Sequence, residues 1–296
     1  MMKLDAALSS ETPSPDSAKG ATAKKQRREP RSRFKPRAEA GIRLEERDEQ
    51  LLCDLLLHRA MSRGQLQTLY FTSLVRCNAR LRQLFDHRFV TRYYSPTAPF
   101  GAQAIYMIGK AALPLVARRL EMDLPETTRM ARCGHTPTFI EHTLATVDIY
   151  IAFRQAVEGR EDVEMERWLP EVQCRHEWEI RPTAGRKWRM ETFKPDGFVR
   201  LAEKGSKYLN FFIETDLGHT SSKQFLGKLM THQRYLESGL FRETYGGDSF
   251  TTLVVTTGER RMHNWRALLE EQRSSLFWLT TFTQLQNYNP YIMLSG

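Results

Sequence analysis

The sequence predicts a mixed α+β chain in two folded parts: three helices with a two-stranded ribbon, then a mixed sheet with helices on its faces. Three observations predict it. Apolar residues recur at helical spacing between Leu44 and Phe85, the signature of amphipathic helices. Phe89 to Tyr94 and Ala104 to Ile108 alternate as strands around a Pro/Gly-rich turn from Ser95 to Gly101, as a hairpin requires. Two strongly apolar runs, Tyr208 to Asp216 and Phe250 to Thr257, are interleaved with helical segments, which places helices against a sheet.

The 296 residues suit two domains, and 41% hydrophobic content is enough for real cores. Residues 1–40 stand apart: rich in Ser, Pro, Ala and charge, they have little to bury and read as a disordered arm. The arm carries Lys24, Lys25, Arg27, Arg28, Arg31, Arg33, Lys35 and Arg37, and the whole chain has a net charge of +9. Such a balance favours an anionic partner.

The first folded part is expected over residues 41–122. Leu44, Leu51, Leu52, Leu55 and Leu56 form one helical stripe. Ser62 is placed to cap a second helix carrying Leu66, Leu69 and Tyr70, and Ser73 a third carrying Leu74, Leu81, Leu84 and Phe85. Gly109-Lys110 then opens a helix through Leu113, Val116 and Leu120. Three helices followed by a ribbon is the order of a winged helix, whose third helix lies in the major groove of a duplex. The third helix and its exit carry Arg76, Asn78, Arg80, Arg82, Arg88 and Arg92. Arg76 and Arg80 share a helix face, and Arg and Asn suit guanine and adenine edges respectively. These six residues are the expected contacts to double-stranded DNA, with the basic arm adding affinity through counterion release.

The second part is expected over residues 123–296, its first helix starting near Thr136-Pro137 and carrying Ile140, Leu144, Val147 and Ile151. Strand-like pieces follow between Val172 and Ile180. Lys194-Pro195-Asp196-Gly197 then turns into a strand, and the strand from Tyr208 ends in Glu214 and Asp216. Two residues apart, those acids point to one sheet face. With Asp196 from the neighbouring strand they offer three carboxylates to a hard cation such as Mg²⁺, which would polarise a phosphodiester and activate water. The helix after them carries Phe225, Leu226, Leu229, Met230 and Leu236.

The winged-helix start, Glu141-His142-Thr143-Leu144 with Asp148, Lys194-Pro195-Asp196-Gly197 and Phe212-Ile213-Glu214-Thr215-Asp216-Leu217-Gly218 together resemble the replication-relaxation family of bacterial plasmid and mobile-element proteins. The resemblance runs from about Leu44 to Leu240 and rests on the order and spacing of these motifs. It implies a role in replication, relaxation or mobilisation, with replication or relaxosome proteins as partners. The second half is also similar to the PD-(D/E)xK nucleases, a restriction-endonuclease-like fold. That similarity implies Asp196 and Glu214 as metal ligands, with a helix acid such as Glu141 or Asp148 assisting. Asp216 stands where that pattern has lysine; Lys223 is the preferred replacement, with Lys228 and Lys194 as alternatives. The departure predicts a degenerate nuclease-like module that binds DNA ends, metal or a relaxosome partner.

Two rival functions follow from the same features. One is a magnesium-dependent endonuclease or nickase built on Asp196, Glu214, Asp216 and Lys223; the other is a winged-helix transcriptional regulator. Cys133-Gly134-His135 and Cys174-Arg175-His176 repeat a pattern tighter than structural zinc sites normally use. His142, His219 and His232 read as structural histidines, and the five tryptophans as core or covering residues. No run of 18 apolar residues and no signal-peptide core occurs, so a cytoplasmic protein without a membrane partner is expected. No GxxxxGK or GxSxG motif is present.

Overall fold

The computed structural model describes residues 35–37, 41–94, 103–132, 136–180, 188–205 and 207–287. Most of the basic arm, together with the Ser95–Gly101 turn and the Cys133-Gly134-His135 motif, lies outside them.

The N-terminal unit runs α1 (Glu46–Leu57), β1 (Met61–Ser62), α2 (Arg63–Tyr70), α3 (Leu74–Asp86), β2 (Val90–Tyr93) and β3 (Ile105–Ile108). Leu51, Leu52, Leu55 and Leu56 of α1 are essentially fully buried, as their spacing predicts. Ser62 caps α2 in a reciprocal pair with Gln65: the Gln65 N–H donates to Ser62 Oγ (3.2 Å) and the Ser62 N–H to Gln65 Oε1 (2.9 Å). The residue pair β1, which the sequence does not reveal, joins the ribbon in a sheet of order β1-β3-β2. This arrangement is consistent with a winged helix. Gly109 is fixed by a close approach, since a Cβ there would stand 2.2 Å from the Arg88 carbonyl oxygen. Only glycine lets β3 leave the ribbon past that backbone.

Two short helices follow, α4 (Leu113–Arg119) and α5 (Leu124–Ala131), then the long α6 (Pro137–Val157). Thr136 accepts from the Phe139 N–H at 3.2 Å, and Pro137 occupies the first turn. Helix α6 belongs to both halves. Val147, Tyr150 and Ile151 join the N-terminal core around Leu51 and Leu84, whereas Ile149 and Phe153 pack under the C-terminal sheet.

That sheet has five strands: β4 (Val163–Pro170), β7 (Gly197–Glu203), β8 (Lys207–Asp216), β9 (Thr251–Thr256) and β10 (Phe277–Thr281). Their order is β10-β9-β8-β7-β4, antiparallel from β4 to β8 and parallel from β8 to β10. On one face, Val199, Leu201, Phe211, Ile213, Leu253 and Val255 meet α6 and α10 (Phe282–Asn287). On the other lie α7 (Ser222–Glu237), α8 (Leu240–Tyr245) and α9 (Glu259–Glu271). There Phe198 and Phe212 pack with Tyr235, Phe241 and Tyr245, and Val254 with Phe225, Leu229 and Trp265. Truncating a fully buried ring such as Phe212 to alanine would cost about 3–5 kcal/mol. A separate hairpin of β5 (His176–Ile180) and β6 (Arg189–Phe193) leans on α7. The mixed sheet flanked by helices is the predicted class; β4 and β6 are additions.

Candidate active site and nucleic-acid interface

The Lys-Pro-Asp-Gly turn delivers Asp196 to the mouth of β7, against the acid-tipped end of β8. The Asp196 N–H donates to the Ile213 carbonyl (2.9 Å), and its Oδ2 accepts from the Thr215 N–H (2.7 Å). The two bonds bracket Glu214, so the aspartate side chain closes the strand ladder where backbone pairing stops. Gly197 makes this possible: a Cβ there would press on the Trp168 ring at 3.3 Å. From α6, His142 Nε2 stands 3.2 Å from Asp196 Oδ2.

Glu214 is 4% exposed and points to the α7 face. Its Oε2 accepts from the Lys228 ammonium, and its Oε1 lies 2.9 Å from His232 Nε2. His232 Nδ1 is in turn 2.7 Å from the Thr252 hydroxyl on β9. With the imidazole neutral, Nε2–H donates to the carboxylate and Nδ1 accepts from threonine. Burial works against the Glu214 charge, but Lys228 and then His232 outweigh it and hold the carboxyl below its ordinary range. Glu214 in turn keeps Lys228 above the ordinary lysine range against the pull of burial, and Asp196 adds to the effect. Lys228 is therefore a fixed cation and not a base. Burial also opposes the charge on His142, but its bond to Asp196 and that residue's charge prevail and raise its pKa. Asp196 with His142, and Glu214 with Lys228 and His232, thus form two clusters at the adjoining ends of β7 and β8, linked through the Thr215 backbone and the attraction between Asp196 and Lys228.

Asp216 shares the sheet face of Glu214 but belongs to another network. It is 4% exposed and accepts from Thr256 Oγ1 (3.0 Å), Trp265 Nε1 (2.9 Å) and the Arg261 guanidinium. Burial tends to raise its pKa, but the Arg261, Trp265 and Thr256 bonds bring it down to about 2. The carboxylate ties β8 to β9 and α9. Lys223, the preferred replacement lysine, is exposed in the first turn of α7, and Lys194 pairs with Glu171 at 2.7 Å. The structure instead brings Lys228 to Glu214. Of the candidate helper acids, Asp148 accepts from Gln65 Nε2 at 2.7 Å and Glu141 is exposed; His142 is the α6 residue at Asp196. Among the described residues no group of three or more His, Cys, Asp and Glu side chains gathers as a metal site. The three carboxylates expected to converge are held by three different sets of partners: Asp196 by Thr215 and His142, Glu214 by Lys228 and His232, and Asp216 by Thr256, Trp265 and Arg261.

The third helix, α3, has an inward and an outward face. Cys77, Leu81 and Leu84 are buried, while Leu74, Val75, Arg76, Asn78 and Ala79 are exposed, Val75 by 77%. Arg80 turns inward. Its guanidinium grips Asp48, which is fully buried, and also donates to the Arg43 carbonyl (2.7 Å) and Gln83 Oε1 (2.9 Å). Arg82 pairs with Asp86 at 2.8 Å, and Arg92 lies over the rings of Phe85 and Tyr106 at 4.3 and 5.5 Å. Arg88 is exposed in the turn after α3. Arg76, Asn78 and Arg88 face solvent; Arg80 ties α3 to Asp48 of α1, Arg82 pairs within α3, and Arg92 stacks on Phe85 and Tyr106.

The replication-relaxation family matches residues 52–251, about two-thirds of the chain and including α3, Asp196, Glu214 and Lys228. The chain belongs to the replication-relaxation family. No curated protein and no solved structure matches it. In this replication-relaxation protein no helix among the described residues is long and apolar enough to cross a membrane. Cys174 is fully buried and donates to the Leu169 carbonyl at 3.2 Å, burial pushing its thiol pKa upward, and His176 Nε2 lies 2.9 Å from the Tyr245 hydroxyl. His219 is exposed on the loop before α7. Trp188 and Trp278 are 58% and 37% exposed, whereas Trp265 is a core residue.

Proposed function

We propose that this replication-relaxation protein binds duplex DNA during replication or relaxation of a plasmid or mobile element, with α3 in the major groove and the ribbon on the backbone. The division of α3 carries this reading. Its outward side offers Arg76 and Asn78, suited to guanine and adenine edges, beside Val75 and Ala79, suited to a thymine methyl. Arg80 and Arg82 brace the helix from within. The net charge of +9 supplies attraction that does not depend on sequence. Fluorescence anisotropy with labelled duplexes tests the proposal. Arg76→Ala combined with Asn78→Ala should weaken binding by about 10- to 100-fold while leaving the melting temperature unchanged. Undiminished affinity in that double variant refutes the helix assignment.

A second reading, metal-assisted phosphodiester cleavage, is favoured by one observation: Lys228 supplies from α7 the ammonium that Asp216 cannot. Asp196 and Glu214, on adjoining strand ends, are the two carboxylates that would hold Mg²⁺. The side-chain contacts of Asp196 described above fall on Oδ2, and Glu214 Oε2 becomes a ligand if Lys228 withdraws, which a side chain 43% exposed allows. Magnesium commonly binds through one or two carboxylates, keeping its waters and a substrate phosphate. When bound, it would polarise the phosphodiester and lower the pKa of water. Lys228 would steady the developing negative charge, and Asp196 would be oriented by Thr215 and His142. With Mg²⁺ or Mn²⁺, nicking of supercoiled plasmid that disappears in Asp196→Ala, Glu214→Ala and Lys228→Ala is the expected result. Intact plasmid bound tightly by the wild type leaves the centre as a binding module.

A further inference from the structure

Arg59 occupies a place that its helix does not require. It directly follows His58, the C-cap of α1, with φ of 68°, a left-handed position normally filled by glycine or asparagine. Among the described residues it makes no ion pair. Its Nε is buried without a hydrogen-bond partner, and its guanidinium rests over the Phe139 ring at 5.7 Å. Arg59 lines a narrow cleft of about 30 Å³ together with His142, Thr146, Glu171 and Asp196. The other charges at this cleft are already matched: Glu171 by Lys194 at 2.7 Å, and Asp196 by His142 at 3.2 Å. The guanidinium is left as the unmatched charge. A half-buried guanidinium with a buried, unbonded Nε gains by meeting an anion, and a planar fork of donors matches phosphate geometry.

We infer that Arg59 takes a backbone phosphate of bound DNA at this cleft. A residue at the end of α1 thereby supplies a cation beside Asp196, and a strand held by the N-terminal unit is led to the edge of the C-terminal sheet. The inference rests on the DNA-binding reading above and adds a contact outside α3 and the ribbon.

The test is duplex affinity measured by fluorescence anisotropy across a salt series, for the wild type, Arg59→Asn, Arg59→Gly and Arg59→Lys. Asparagine and glycine both suit the left-handed backbone, so if one variant folds poorly the other serves. Each should bind about tenfold more weakly, with a salt slope shallower by about 0.9, the share of one phosphate. Arg59→Lys keeps the charge and should keep the slope, losing affinity only through the missing fork. A merely structural arginine would move the melting temperature and leave the slope alone. Wild-type affinity and slope in the Asn and Gly variants overturn the role of Arg59 while the DNA reading stands. A wild type that ignores duplex DNA overturns both.

Discussion

Replacing Asp216 by asparagine separates a structural acid from a site acid. The carboxylate is buried and bound by Thr256, Trp265 and Arg261, and its pKa falls from 3.8 to about 2. A folded-state pKa below the unfolded one adds stability that is complete above the unfolded value and fades as pH falls through the folded value. The difference of nearly two units corresponds to about 2 kcal/mol at neutral pH, shrinking to about 1 kcal/mol near pH 3. Asparagine preserves the shape but removes the charge facing Arg261. Urea denaturation of wild type and Asp216→Asn at pH 7 and pH 3 should therefore show a stability gap of about 2 kcal/mol that roughly halves in acid. Binding of DNA by the folded variant should be unchanged. The reasoning is refuted if the variant is as stable as wild type at pH 7, or if its stability holds and DNA binding or cleavage is lost.

Two further outcomes follow from the same geometry. Arg80→Ala leaves Asp48 fully buried without its guanidinium and should destabilise the protein by about 3 kcal/mol, measured by thermal or urea unfolding; a loss of DNA affinity without a loss of stability would contradict the inward assignment. Lys228→Met removes the cation from Glu214 and should cost about 1–2 kcal/mol, discounted because the lysine is 43% exposed. Since the Glu214 pKa is depressed in the folded state, that gap should be complete above the ordinary carboxyl value of 4.5 and close on acidification; a gap independent of pH would contradict the pairing.

Much of the architecture is legible from local patterns. Leu51, Leu52, Leu55 and Leu56 announce α1, Ser62 the start of α2, and the runs from Tyr208 and Phe250 two central strands. The Pro-Asp-Gly turn and the acid-tipped strand together foretell that Asp196 lies beside the end of β8 that carries Glu214. Side-chain direction is less legible. The apolar residues of α7 suggest a stripe through Leu226 and Met230, yet Met230 is 55% exposed, and the buried line runs Phe225, Leu229, His232, Tyr235. A polar histidine in that line hides its true direction, so Lys223 reads as better placed than Lys228, which lies three residues past Phe225 and four before His232. His232 was the available signal, because a histidine at a core position needs a partner such as Glu214. Arg80 misleads for a similar reason. Its partner Asp48 lies 32 residues upstream, and helical spacing says nothing about a tertiary ion pair. The strands β4 and β6 escape notice because each alternates weakly and gains its place only by pairing with β7 or β5.

Helix α6 contributes Val147, Tyr150 and Ile151 to one core and Ile149 and Phe153 to the other, so severing the chain near residue 122 would strip the N-terminal unit of part of its own interior. A fragment meant to stand alone would have to retain this helix, whose opposite side would then be bare and prone to self-association. Unfolding of the two halves is accordingly coupled, and a ligand that stiffens one should be felt as added protection of amide protons in the other.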